Sequence, residues 1–221
     1  MNNDFKIYLI PGQGADSRLF DNFELNPEFE HKHIEFELPE KNCSMKQYAM
    51  QLSKQFDNHP RKVIIGTSIG GMIAVELQEI LKPEMLIVIS SAKSNRELPG
   101  KYKLFKALPF YRLLSGSFLK AISKLIIPIV EPDQKKEKET FEKMLGEKDP
   151  KFLKRTLDMI INWDRREYSD TIIHIHGNKD NVIPVKNVNY NYLIEGGSHM
   201  MTLTRGKEIS NLINKLLTEK K

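Results

Sequence analysis

The stretch Val63-Ile64-Ile65-Gly66-Thr67-Ser68-Ile69-Gly70-Gly71-Met72-Ile73-Ala74-Val75-Glu76-Leu77 leaves the chain few ways to fold. Three β-branched apolar residues without polar alternation mark a strand buried on both faces, and so a parallel sheet. Past Gly66 the apolar period changes: Ile69, Ile73, Leu77 and Ile80 follow helical spacing. A strand must therefore turn tightly into a helix that packs back on the sheet, with Ser68 at the apex. Gly66 and Gly70 flank it where the turn brings the backbone together and a Cβ would clash. A hydroxyl is then held at the mouth of the sheet beside free N–H groups of the helix. The three fixed positions of Gly-x-Ser-x-Gly arise by chance in roughly one chain of this length in fifteen, and a serine there can simply cap the helix. The rest of the chain decides between the two.

Five further runs read as strands: Phe5–Ile10, Ile34–Leu38 (ended by Pro39), Met85–Ile89, Thr171–Gly177 and Asn189–Ile194. Helical patterns lie between or after them, Ser44–Phe56 with Tyr48, Leu52 and Phe56 on one face, and Arg205–Leu217 with Ile209, Leu212, Ile213 and Leu216 inward. Six short apolar strands alternating with helices imply a mostly parallel α/β sheet flanked by helices, with ligands at the carboxyl ends of the strands. Between the fourth and fifth strands, about Lys93 to Asp170, there is no strand signal. Helices are predicted at Tyr102–Leu114, Phe118–Ile127, Gln134–Leu145 and Lys151–Trp163, with breaks at Gly116, Pro128, Pro132 and Pro150. The first two are apolar and basic together, and the third is mixed in charge. The expectation is one domain, core 1–92 and 171–221, carrying a helical cap at about 93–170.

Composition narrows the function. A chain of 221 residues, 40% hydrophobic and 29% charged, suits one sizeable domain. Met1-Asn2-Asn3-Asp4 is not a basic leader and no run approaches a membrane span, so neither secretion nor stable membrane insertion is expected. The lone Cys43 has no internal disulfide partner, and no Cys/His spacing suggests a metal site; a cytoplasmic setting is the default. A net charge of +5 is mild, and no reading or stacking motif points to nucleic acid. Gly12-Gln13-Gly14 after the first strand, with Glu35 and Glu37 further on, raises dinucleotide binding. Ser17 at the third glycine position and Pro11 in the turn count against it, and no cofactor is expected. The competing reading is a loop aiming backbone N–H groups at a developing alkoxide. The basic residues from Arg96 to Lys124 form a solvated face, or meet an anionic substrate end or an acidic surface.

The carboxyl ends of the strands converge on one chemistry. The third delivers Ser68, the fifth His176-Gly177-Asn178-Lys179-Asp180, and the sixth His199 in a Gly-Gly-Ser-His turn. A serine hydroxyl is a poor nucleophile at neutral pH. A histidine that takes its proton, oriented by a carboxylate, supplies what it lacks. The order Ser68, Asp180, His199 around Gly66-Thr67-Ser68-Ile69-Gly70 resembles the α/β-hydrolase fold superfamily from Phe5 to about Met201. Pro11-Gly12-Gln13-Gly14 is similar to its oxyanion loop, and His176–Asp180 to its acid segment. The resemblance implies Ser68 as nucleophile, Asp180 as acid and His199 as base, with the N–H groups of Gln13 and Ile69 as the oxyanion hole. It departs at Pro11, where many members carry histidine, and in the absence of two leading strands. Met72, Met200 and Trp163 are candidates for the substrate pocket, with core packing as their alternative; His174 and His176 read as hydrogen-bonded core groups, and His31, His33 and His59 as surface or packing residues. The activity implied is hydrolysis of a small-molecule ester, thioester or amide. Acyl transfer, C–C cleavage or elimination, or a non-catalytic ligand-binding role, remains open, as does oligomeric state.

Overall fold

At the centre of the computed structural model, which describes residues 5–125 and 137–220, is a six-stranded, all-parallel sheet. In chain order the strands are β1 (Lys6–Ile10), β2 (Glu30–His33), β3 (Lys62–Thr67), β4 (Met85–Ile89), β5 (Ile173–Gly177) and β6 (Tyr192–Ile194). Their order across the sheet is β2-β1-β3-β4-β5-β6. In β3 and β4 every residue but Lys62 is buried, because helices cover both faces, and this is why their sequences lack alternation.

Neighbouring residues of a strand serve opposite faces. Ile64 packs with α1 (Met45–Leu52) and α2 (Ile69–Leu81), while Ile65 packs with the closing helix through Ile209 and Ile213. Ser44 starts α1 with a reciprocal cap, its hydroxyl accepting from the Gln47 N–H while the Gln47 side chain accepts from the Ser44 N–H. Between β4 and β5 the described residues form helices α3 (Gly100–Ala107), α4 (Gly116–Leu125), α5 (Lys138–Glu147) and α6 (Pro150–Asn162). Phe152, Leu153, Met159 and Ile160 of α6 join the α1–α2 side of the core. The chain ends in a short α7 (Met201–Thr204) and α8 (Gly206–Glu219).

Three expectations need correction. The second strand is Glu30–His33 and not Ile34–Leu38: only the Ile34 N–H continues the ladder, to the Leu9 carbonyl at 2.9 Å, and Phe36 leaves the sheet to pack on the Tyr48 and Phe152 rings. An edge strand with half its hydrogen bonds open has little need of apolar residues, so the apolar run lay just past it. The last strand shrinks to Tyr192–Ile194 because Asn191 pairs with β5 partly through its side chain, whose Oδ1 accepts from the His174 N–H at 2.8 Å. The helix expected over Tyr102–Leu114 stops at Ala107. Pro109 pushes Leu108 to φ −124°, ψ 84°, and a single 3-10 turn, Phe110–Leu113, follows. Ile127, Pro128, Pro132 and Gln134, on which the limits of the next two helices rested, lie outside the described residues.

Candidate active site

Ser68 sits between β3 and α2 at φ 54°, ψ −122°, a conformation that a side-chain-bearing residue adopts only when its surroundings impose it. The surroundings are crowded. A Cβ on Gly66 would run into the Gly70 carbonyl, and one on Gly70 into the carbonyls of Ile10 and Pro11. The Ser68 N–H donates to the Ile89 carbonyl at 3.0 Å, and the Ser68 carbonyl accepts from the N–H groups of Gly71 and Met72. Ser91, just past β4, adds a third donor through its hydroxyl at 2.6 Å.

The turns after β5 and β6 bring the other two predicted residues to this hydroxyl. The Ser68 hydroxyl lies 3.0 Å from His199 Nε2, and His199 Nδ1 lies 2.8 Å from Asp180 Oδ2. The second oxygen, Asp180 Oδ1, accepts from the N–H groups of Val182 at 2.9 Å and Ile183 at 2.8 Å, which fixes the carboxylate plane. Burial alone would raise the Asp180 pKa. The His199 ring beside it, with help from His176 and the Ile183 N–H, outweighs burial and holds the carboxyl below its usual range.

The loop after β1 lies against the same serine: a Cβ on Gly12 would rest 3.4 Å from Ser68 Cβ. Neither the Gln13 nor the Ile69 backbone N–H has an acceptor among the described residues. The Gln13 side chain points the other way, donating to the Leu153 carbonyl at 3.0 Å and the Thr156 hydroxyl at 2.7 Å on α6.

No family model matches the chain, and no curated protein sequence does. Solved structures do match. The enol-lactonase from Burkholderia xenovorans LB400 superposes with a TM-score of 0.75 at 16% identity, over 98% of this chain and 92% of that one. An esterase from Thermogutta terrifontis gives 0.74 at 15%, over 97% and 90%. ClbQ from the colibactin NRPS/PKS pathway gives 0.66 at 15%, over 99% and 98%. The chain has the α/β-hydrolase fold.

Behind the acid in this α/β-hydrolase sheet is a feature that sequence reasoning took only as hydrogen-bonded core. His174 and His176, both fully buried on β5, form a row: Asn189 carbonyl to His174 Nδ1 at 3.1 Å, His174 Nε2 to His176 Nδ1 at 3.0 Å, His176 Nε2 to the Ile183 carbonyl at 2.9 Å. Three contacts ending on two carbonyls call for three protons, and two neutral rings carry two. Burial pushes both rings below the usual histidine range, His174 well below, so the third proton is absent at neutral pH. Asp180 Oδ2, 3.6 Å from His176 Nε2, favours the tautomer with the proton on that nitrogen. The single proton on His174 then serves either the Asn189 carbonyl or His176 Nδ1, and the other of these two contacts goes without one.

The remaining predicted residues are placed as follows. Met72, on the first turn of α2, and Met200, next to His199, are buried on opposite sides of the sheet. Trp163, just past α6, is buried too, and its indole N–H donates to Glu76 Oε1 at 2.8 Å. Glu76 also accepts from Arg165 Nε at 2.9 Å, a buried acid tying α2 to the end of α6. Glu76 had no role in the sequence reading, since it interrupts an apolar helix without altering its period. Among the described residues no group of His, Cys, Asp or Glu is arranged to hold a metal ion, and no helix is long and apolar enough to cross a membrane.

Proposed function

We propose that this chain is a serine hydrolase cleaving an ester, thioester or amide through an acyl-enzyme on Ser68. The observation that carries the reading is the unbroken row from the Ser68 hydroxyl through His199 to Asp180, at 3.0 and 2.8 Å. As Oγ attacks the acyl carbon, His199 Nε2 takes its proton, and Asp180 balances the imidazolium through Nδ1. The developing oxyanion is met by the Gln13 and Ile69 N–H groups, at the positive end of α2. His199 then hands the proton to the leaving group, and a water repeats the cycle against the acyl-enzyme. The helical segment caps the pocket, with α6 holding the Gln13 loop, and Met72 and Met200 bordering the acyl group. Trp163, its indole N–H held by Glu76, serves the cap wall. Structurally similar proteins described as esterases and an enol-lactonase suit this reading.

The test is direct. A fluorophosphonate probe should label the purified protein, and Ser68→Ala should abolish labelling and cut turnover of activated acyl esters by about 10⁴-fold or more. Unchanged turnover in Ser68→Ala sinks the proposal. Activated esters and thioesters of graded chain length, with and without an alcohol or thiol acceptor, then size the pocket and separate hydrolysis from acyl transfer.

A further inference from the structure

The segment between β4 and β5 turns an unusual face to solvent. Residues 100–125 contain six of the chain's 34 Lys and Arg and none of its 29 Asp and Glu, so this one stretch carries more than the whole net charge of +5. Large apolar side chains stand exposed among these cations. Leu104, Phe105 and Leu108 are 58%, 41% and 50% exposed around α3, Phe110 and Leu113 are 69% and 84% exposed in the 3-10 turn, and Phe118 and Leu125 follow on α4. Seven of the twelve large apolar side chains exposed among the described residues lie here.

These helices have already docked by their inner side. The Tyr111 hydroxyl donates to Asp158 at 2.6 Å, and Lys154 Nζ on α6 reaches the carbonyls of Arg112 and Leu114 at 2.8 and 2.7 Å. Lys120 Nζ bonds the carbonyls of Gly146 and Lys148, both at 2.6 Å. The exposed side chains are therefore an outer face of a seated segment. At its edge is a cleft of about 230 Å³ walled by Ile161 and Trp163 and ringed by Arg96, Lys103, Lys106 and Arg166, with no acid in its lining. Arg96 reaches Glu167 at 3.5 Å; the other three cations have no salt bridge among the described residues.

A solvated helix face intersperses acids with bases, and a core-facing stripe is covered; this face does neither. A second copy of the chain would set cations against cations. An acidic protein would need a groove matched to apolar side chains spread over three consecutive elements, whereas a fluid interface receives them wherever they stand. We propose that this face docks on an anionic phospholipid surface. A headgroup phosphate enters the Arg96–Lys103–Lys106–Arg166 cleft, and Phe110, Leu113 and Phe118 enter the boundary between headgroups and acyl chains. The docking is peripheral and reversible, and it does not depend on the chemistry at Ser68.

Co-sedimentation of the full chain with vesicles tests it without any substrate. Vesicles of phosphatidylcholine containing about one-third phosphatidylglycerol should bind at least about tenfold more strongly than phosphatidylcholine alone, and the difference should shrink in high salt. The pair Lys103→Glu and Lys106→Glu should lower binding to the anionic vesicles by about fivefold or more per lysine. The pair Phe110→Ser and Leu113→Ser should lower binding to both kinds of vesicle. Both pairs change exposed side chains, so the circular dichroism spectrum and the thermal midpoint should stay as in the parent chain. Four results would each overturn the proposal: a parent chain that stays in the supernatant with anionic vesicles, binding that neither pair weakens, displacement by millimolar inorganic phosphate alone, or a solution dimer that Phe110→Ser with Leu113→Ser splits.

Discussion

In the proposed mechanism Gln13 works in two directions, its N–H serving the oxyanion while its side chain is hydrogen-bonded to α6. Removing the side chain leaves the N–H in the chain but frees the loop that aims it. Gln13→Ala should therefore lower kcat by about ten- to a hundredfold with little change in KM, the pattern of a displaced transition-state donor. Ester kinetics decide this, and a rise in KM alone would assign Gln13 to substrate binding. The buried histidines give a pH signature. Their folded pKa values lie below the unfolded one, so the unfolded chain binds more protons on acidification. Their contribution is complete above about pH 6.5 and is lost as pH falls from there towards the folded values. Partly buried His33 acts in the same sense. Asp180, also depressed, adds a further loss as pH falls below about 4. Urea unfolding at a series of pH values should show stability dropping between about pH 6.5 and 5, less steeply in His174→Gln. An equal slope in both proteins rejects the assignment. At this scale the sequence was legible where a residue follows a strand end, as Ser68, Asp180 and His199 do. It was mute on Ser91, His174 and His176 as partners, because their roles depend on which strands become neighbours.

Among the elements, α2 and the end of α6 are joined by a buried polar contact through Glu76. Glu76→Ala would leave the Trp163 N–H without its acceptor and the Arg165 guanidinium with Glu79 as its remaining acid, and should cost about 2 kcal/mol in urea unfolding. Glu76→Gln, which keeps an acceptor but not the charge, should cost less than half of that. Equal losses would show that the charge, and not packing or the shared acceptor, holds the two helices. The elements themselves were readable in proportion to how deeply they are buried. The strands β1, β3, β4 and β5 carry their apolar runs where the core demands them, whereas β2 with its sequence Glu-His-Lys-His carries none. The break at Pro109 was visible as a proline, but its effect was missed because the apolar spacing continues across it.

For the molecule as a whole, the sheet divides two apolar clusters. Ile64 and Ile65 are adjacent in sequence yet belong to different ones. Ile64→Val and Ile65→Val should each cost about 1 kcal/mol, and the double variant should cost their sum within about 0.5 kcal/mol, since the two side chains share no partner. Thermal or urea unfolding of the three variants checks this, and strong non-additivity would mean that the strand itself shifts. The division also bears on how the site comes into being. Ser68 and His199 are 131 residues apart, and His199 follows a three-residue edge strand at the far side of the sheet. On the proposed mechanism, a chain emerging from the ribosome carries Ser68 long before its base arrives and is chemically silent throughout synthesis. Reactivity at Ser68 would therefore report that the last strand has docked, and a nascent chain stalled before His199 should resist the fluorophosphonate probe.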